Sequence, residues 1–251
     1  PELLDWLASE FMDNHWSLKH LHRLMMNSTA YRQSSIRDPR FDQLDGGNMY
    51  YWHKSVQRLD AEIIRDRILV VSGLLDTAVL GPADGLKTDD AGQVSVGGSK
   101  RRSVYIQVRR TQPVALLQAF DAPVMAVNCD KRTRSTAADQ SLMLMNSDFI
   151  LSSSAAFSER LEKEAAENVD AQLIDSLTVH PDATPYIGQL IYAWQLAYCR
   201  APTQEEVDLS TEFVVTQLRL LKEQENEKPL RQAITNFCQV LLSSNEFLYS
   251  E

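Results

Sequence analysis

A chain of 251 residues with 44% hydrophobic and 24% charged residues is long enough to bury a sizeable core, and its nine glycines and nine prolines exclude a fibrous or low-complexity polymer. Its net charge of −9 argues against general nucleic-acid binding, which needs a basic footprint. No apolar run reaches membrane-spanning length, and three cysteines are too few for a disulfide framework.

The chain opens at Pro1 on "PELLDWLASEF", an amphipathic run entered through a proline. Leu3, Leu4, Leu7 and Phe11 recur at helical spacing and predict a helix over 2–12. The piece is therefore expected to come from a longer protein. Ser17 is the predicted cap of a second helix carrying Leu18, Leu21, Leu24 and Met25 on one face. His20 and His22 lie two apart on it, a spacing that points them to different faces and does not suit a metal pair. A polar connection follows, ending in a Gly-Gly turn.

A third helix is predicted over 55–75, with an apolar stripe of Leu59, Ile63, Val70 and Leu74. Arg65 stands three residues from Glu62, so an internal ion pair is expected there. The loop "GPADGLKTDDAGQVSVGGSKRR" is rich in Gly and Asp but lacks the acidic spacing and closing Glu of a calcium loop. "SVYIQVR" alternates like a strand, and "QVSV" at 93–96 is its nearest partner, which predicts a small β-hairpin in mid-chain.

Helical patterns resume after Pro113. Ser135 or Thr136 is the predicted start of a helix bearing Leu142, Met143, Met145 and Phe149. Further helices are expected over 149–168 and 171–177, and from Pro185 through "PYIGQLIYAWQLAYCR". Thr203 and Glu206 form a capping box for the next helix, and the last begins near Pro229. The fold class is mainly α, a multi-helix domain with a small central hairpin. Two helical lobes, 1–80 and 113–251, are expected, joined by a loop and hairpin over 81–112.

Charge is unevenly spread. Between Lys100 and Arg134 there are eight basic residues against two acids, Asp121 and Asp130. This is the segment for an anionic partner. Arg132, Arg134, Ser135 and Thr136 just before a helix offer guanidinium forks, hydroxyls and free amides to an anion. The alternative is a capped helix whose arginines pair with carboxylates of the chain. Cys129 lies in a loop with Lys131, Arg132 and Arg134 behind it, so its thiol is either activated by those cations or buried as packing. Cys199 and Cys238 sit in apolar helical patterns, where a buried thiol is expected. No GxSxG, HExxH, P-loop, GxGxxG, CxxC or CxxCH occurs. No catalytic residue, metal ligand or cofactor is assigned within this segment.

The motifs "RLDAEIIRD", "RRSVYIQVRR", "FDAP…NCDKR…ST…QSLMLMNSDF", "RAPTQEE" and "LLSSNEFLY", in that order behind "PELLDWLASEF", resemble a planctomycete-specific domain of unknown function. That domain is found at the C-terminal end of cytochrome-c-type multidomain proteins, and the resemblance covers almost the entire chain. Its motif residues map onto Arg58, Asp60, Glu62, Arg65 and Asp66. They also map onto Arg109 and Arg110, and onto Phe120, Asp121, Pro123, Cys129, Arg132, Ser135, Thr136, Gln140 and Asn146. Arg134 and Ala138 depart from the pattern, which has an apolar residue and a proline there.

The resemblance implies an extracytoplasmic parent protein whose other domains are partners of this one, with haem in an upstream module. From the charge pattern and the resemblance together, the expected ligand-binding set is Arg109, Arg110, Asp121, Cys129, Arg132, Arg134, Ser135, Thr136 and Gln140. The expected function is a non-catalytic binding or scaffold domain for an anionic ligand such as an acidic or sulfated polysaccharide. The alternative is an enzyme or redox accessory working with the upstream haem module.

Overall fold

The computed structural model describes residues 1–88, 92–123, 132, 135–177 and 181–250. The chain is mainly α-helical, as its periodicity predicts, with small β elements. It forms two compact units: Pro1–Gln57 with Tyr249–Glu251, and Arg58–Leu248.

The first unit holds α1 (Glu2–Asp13), α2 (Leu18–Met26) and α3 (Pro39–Leu44). Ser17 caps α2 as predicted, accepting from the His20 amide. Phe11 meets Trp16 edge-on with ring centroids 5.2 Å apart. His20 Nε2 lies 2.9 Å from Glu10 Oε1, so this histidine joins α2 to α1. Asp38 caps α3 ahead of Pro39, and Trp52 packs between Phe41 and His53 while its indole N–H donates to the Asp45 carbonyl. Within this unit the Ser250 hydroxyl donates to the Gln57 carbonyl, the two residues lying on the short strands β4 (Tyr249–Ser250) and β1 (Gln57–Arg58).

The second unit opens with α4 (Ala61–Val71), shorter than the predicted 55–75 because the chain at Gln57–Arg58 is extended. Its buried face is also rotated from the predicted stripe. Ala61, Ile64, Ile68, Leu69 and Val71 are buried, while Ile63 and Val70 are half exposed. The aliphatic positions run nearly all around this helix, so spacing alone could not select the inner face. Arg65 takes an inward position, where it is used by carbonyls rather than by Glu62.

The hairpin is real but shifted. β2 (Leu86–Thr88) pairs antiparallel with β3 (Val94–Val96), in the register Leu86 to Val96. "QVSV" thus supplies a strand, but "SVYIQVR" does not. Residues Ser103–Tyr105 form a 3-10 turn, and Ile106 makes only an isolated bridge to Asp84. The alternation there reflects Ser103 and Ile106 turning inward while Val104 and Val108 stay exposed.

Short α5 (Ala115–Ala119) and α6 (Ala138–Asn146) lead to α7 (Asp148–Asn168), and α8 (Ala171–Asp175) follows. The core is a four-helix arrangement of α7, α9 (Ile187–Tyr198), α10 (Gln204–Glu223) and α11 (Pro229–Leu242). In α7 the buried residues Ile150, Ser153, Ser154, Phe157, Leu161 and Ala165 recur every three or four positions. The Ser154 hydroxyl donates to the Ile150 carbonyl, which satisfies it within the helix. The last helix, α12 (Asn245–Leu248), seats Phe247 fully inside.

The Thr203–Glu206 capping box forms as predicted. Glu206 also receives a two-pronged bond from Arg200, at 2.6 and 2.8 Å, and Arg200 grips Glu246 at 2.7 and 2.9 Å. The guanidinium lies over Trp194, 5.0 Å from its ring centroid. One side chain therefore ties the end of α9 to the starts of α10 and α12. Tyr198 adds a second tie through Ser244 and the Leu241 carbonyl, and burial pushes its phenol up to about 12.

Cys238 is buried as expected, and burial raises its thiol. Cys199 is exposed instead, because α9 ends on it in the left-handed conformation, with φ of 59°. A thiol probe is expected to modify Cys199 in the folded protein and Cys238 only after denaturation. Peptide mapping of the labelled protein checks this, and native labelling of Cys238 contradicts the packing described.

The Arg200 bonds, opposed by burial, hold Glu206 at about 2. Its folded value is below the unfolded one, so its stabilisation is present above the ordinary carboxylate range and is lost as pH falls from about 4.5 to about 2. Glu206→Gln is expected to lower the urea midpoint at neutral pH, with the difference from wild type vanishing at the acid end of that window.

Candidate functional site

The predicted ligand residues divide into two groups in the second unit. The first is a closed network around Asp121. The carboxylate accepts from Arg58 Nη2 at 2.6 Å, from the Ser135 amide at 2.7 Å and from the Ser135 hydroxyl at 2.9 Å. Arg58 is 6% exposed, and it also donates to the Phe120 carbonyl at 3.1 Å and to the Ser135 carbonyl. Gln140, buried on α6, donates to that same Ser135 carbonyl at 3.1 Å. Burial on its own would raise Asp121; the Ser135 amide, the Arg58 guanidinium and the Ser135 hydroxyl outweigh it and hold the carboxyl below its usual range.

At the entrance of α6, the polar groups of Ser135 and Gln140 bond within the chain. The helix starts at Ala138, with no side-chain cap at Ala137, so neither Ser135 nor Thr136 caps it. The amide and hydroxyl of Ser135 are already engaged by a carboxylate of the chain itself. Thr136 is exposed and stands outside the network. Asp121 reaches its place through a left-handed backbone, with φ of 60°, where a non-glycine residue needs compensating contacts. The network supplies three of them.

The second group faces a cavity of about 270 Å³. Arg109, Arg110 and Arg132 line it, with Glu62 as its one acid among the lining residues. Ile106, Val114 and Leu117 give it an apolar wall, and Gln107 and Gln112 supply side-chain amides. Arg109 is held in position by both amides, its Nε donating to Gln107 Oε1 at 3.1 Å and its Nη1 to Gln112 Oε1 at 2.9 Å. Arg132 forks onto Glu62 at 2.7 and 3.0 Å and approaches Asp60 at 3.5 Å. Arg110 is exposed, with no hydrogen bond or ion pair to another described residue. Arg132 is thus an ion-paired wall, whereas Arg109 and Arg110 present charge to the cavity. Cys129 and Arg134, the remaining predicted residues, lie outside the described residues.

Sequence reasoning missed the neutral part of this site. Gln107 and Gln112 carry no signal of their own, since they become partners only when the chain turns between them. Arg58 was visible as a motif residue, but its partners stand 62 to 77 positions away. Among the described residues, no group of three or more His, Cys, Asp or Glu is placed to hold a metal ion, and no helix is long and apolar enough to cross a membrane.

The protein is a mainly helical domain with an arginine-rimmed, apolar-walled cavity beside an Arg–Asp network in which the arginine is buried. It belongs to the family described as PSD1, protein of unknown function (DUF1553), whose sequence pattern matches residues 1–214. No curated protein and no solved structure matches the chain significantly.

Removing Arg58 takes the charged donor from the Asp121 carboxylate and one donor each from the Phe120 and Ser135 carbonyls. Arg58→Ala is expected to destabilise the fold by about 3 kcal/mol or more. Arg58→Lys is expected to recover less than half of that, because an ammonium cannot span acceptors arranged for a planar fork. Denaturant unfolding measures both, and full rescue by lysine would contradict the bridging role.

Proposed function

We propose that this domain is a non-catalytic binding module, and that the cavity rimmed by Arg109 and Arg110 takes an anionic group of an acidic or sulfated polysaccharide. The observation that carries this reading is the pairing of two outward-facing guanidiniums with an apolar wall of Ile106, Val114 and Leu117 in one cavity. A carboxylate or sulfate suits the guanidinium forks. The apolar face of a sugar ring suits the wall, and the Gln107 and Gln112 amides suit its hydroxyls. Arg109 is already oriented by those amides, which lowers the ordering cost of binding. The chain's net charge of −9 makes such a local basic rim selective rather than generally sticky toward polyanions.

The motif resemblance supports a setting for this role. In that setting the parent protein is planctomycete and exported, other domains of the parent are the partners, and an upstream module carries the haem. An anion-holding domain in such a protein would serve to attach it to a charged polymer outside the cytoplasm.

The test is a glycan array of uronic-acid and sulfated oligosaccharides, followed by calorimetry. Binding is expected to weaken with added salt, and Arg109→Ala with Arg110→Ala is expected to lower affinity about ten-fold or more without altering the thermal midpoint. Binding that survives the double substitution, or an absence of acidic-glycan binding, overturns the assignment.

A further inference from the structure

A second cavity, of about 500 Å³, opens among the hairpin strand β3, the start of α5 and the α6–α7 junction. Val114 lines both cavities. Arg65, in the wall of the second, donates to the Ser103 hydroxyl, in the wall of the first, at 3.3 Å. The two cavities therefore adjoin on one side of the second unit.

Their chemistry differs. The second is lined by neutral hydrogen-bonding groups, among them Asn146, Ser152 and Ser153, with the Phe149 ring beside them. Ser153 is fully buried, and its hydroxyl has no partner among the described residues. A buried polar group without a partner is costly, and a ligand hydroxyl would relieve that cost. Asn146 donates to the Leu142 carbonyl and keeps its side-chain oxygen as an acceptor. Lys100 and Asp148 bring opposite charges, and the third charged lining residue, Arg65, is committed to the carbonyls of Ser99 and Arg101. The α7 N-terminus also opens here, but Asp148 stands in its first turn and disfavours a second anion. A neutral, hydroxyl-bearing ring fits the Asn146, Ser153 and Phe149 part of this lining.

We propose that the adjoining cavities are consecutive subsites for one oligosaccharide, with an acidic sugar at Arg109 and Arg110 and a neutral sugar at Asn146 and Ser153. The ligand class is then a polymer that alternates acidic and neutral residues. This inference rests on the anionic-glycan reading above, and it adds what that reading lacks, a preference for neighbouring units.

The probes are glucuronic acid and a hyaluronan tetrasaccharide, in which glucuronate alternates with N-acetylglucosamine. Calorimetry on the whole chain is expected to show the tetrasaccharide binding about ten-fold tighter than the monosaccharide, as two linked contacts require. Asn146→Ala with Ser153→Ala should abolish most of that gain and leave glucuronic acid affinity unchanged. Arg109→Ala with Arg110→Ala should weaken both ligands. Ser153→Ala alone removes a hydroxyl without a partner, so it keeps the test open if the double variant unfolds. Equal affinity for both ligands in the wild type, or an unchanged tetrasaccharide affinity in the second-cavity variants, overturns the subsite and leaves the first-cavity reading standing. Binding of neither ligand, or indifference to the arginine substitutions, overturns both.

Discussion

The second unit depends on inward-turned guanidinium groups that satisfy the carbonyls of irregular backbone and of helix ends. Arg58 bridges Phe120, Asp121 and Ser135. Arg65 on α4 bridges the carbonyls of Ser99 and Arg101 at 2.8 and 2.9 Å. Arg67, two positions on, bridges Ala197 and Phe247, both at 2.8 Å. Desolvation is steep enough to lower the affinity of Arg65 and Arg67 for their protons, with nearby charges offsetting it only in part. The arrangement persists because a carbonyl in a buried loop has no ladder partner, and one arginine has five donors to distribute. The carboxylate of Asp66 completes the set by accepting from both the amide and the hydroxyl of Ser103 at 2.6 Å.

These bonds set the positions of the cavity walls. The segment 99–103 is held by Arg65 and Asp66, and it delivers Ser103 and Ile106 to the first cavity. The turn at 120–121 and residue 135 are held by Arg58, which fixes the entrance to α6 and hence the α6–α7 junction that lines the second cavity. Of the helical core, only the start of α7 lines either cavity. The core's polar residues serve packing, as in Ser154 of α7, or joinery, as in Arg200 and Tyr198. The candidate cavities open mainly in the less regular half of the unit, beside a regular helical support.

Much of the fold was legible before the structure. α7, α9, α10 and α11 carry strong helical periodicity, and the Ser17 cap and the Thr203–Glu206 box mark their helix starts by local chemistry alone. Errors fell where local signals are degenerate. In "SVYIQVR" the alternation of a strand and the in-out pattern of a 3-10 turn followed by extended chain look alike over seven residues. In α4 the aliphatic residues surround the helix, so the inner face was set by which side meets α5 and α7. Cys199 looked buried because its neighbours are apolar, yet the helix ends on it. The candidate site was legible as a charge excess between Lys100 and Arg134, but not as a division of labour. Nothing local distinguishes Arg132, which pairs with Glu62 seventy residues away, from Arg110, which has no such partner among the described residues.

The sequence by itself determined the class of fold, the family, the position of the main helices and the concentration of cations in one segment. The family follows from the resemblance of its motifs, and the others from composition or from interactions within a few residues of chain. Tertiary structure alone decided which cations are consumed and which are offered. Asp121, Asp60 and Glu62 neutralise Arg58 and Arg132 across loops of tens of residues, and whether a carboxylate comes within hydrogen-bonding reach depends on the packing of distant elements. The pairing of Arg109 and Arg110 with an apolar wall, and the adjacency of two cavities across Val114, arise at that level too. A charge can be read from its letter, but its partner is set by the fold.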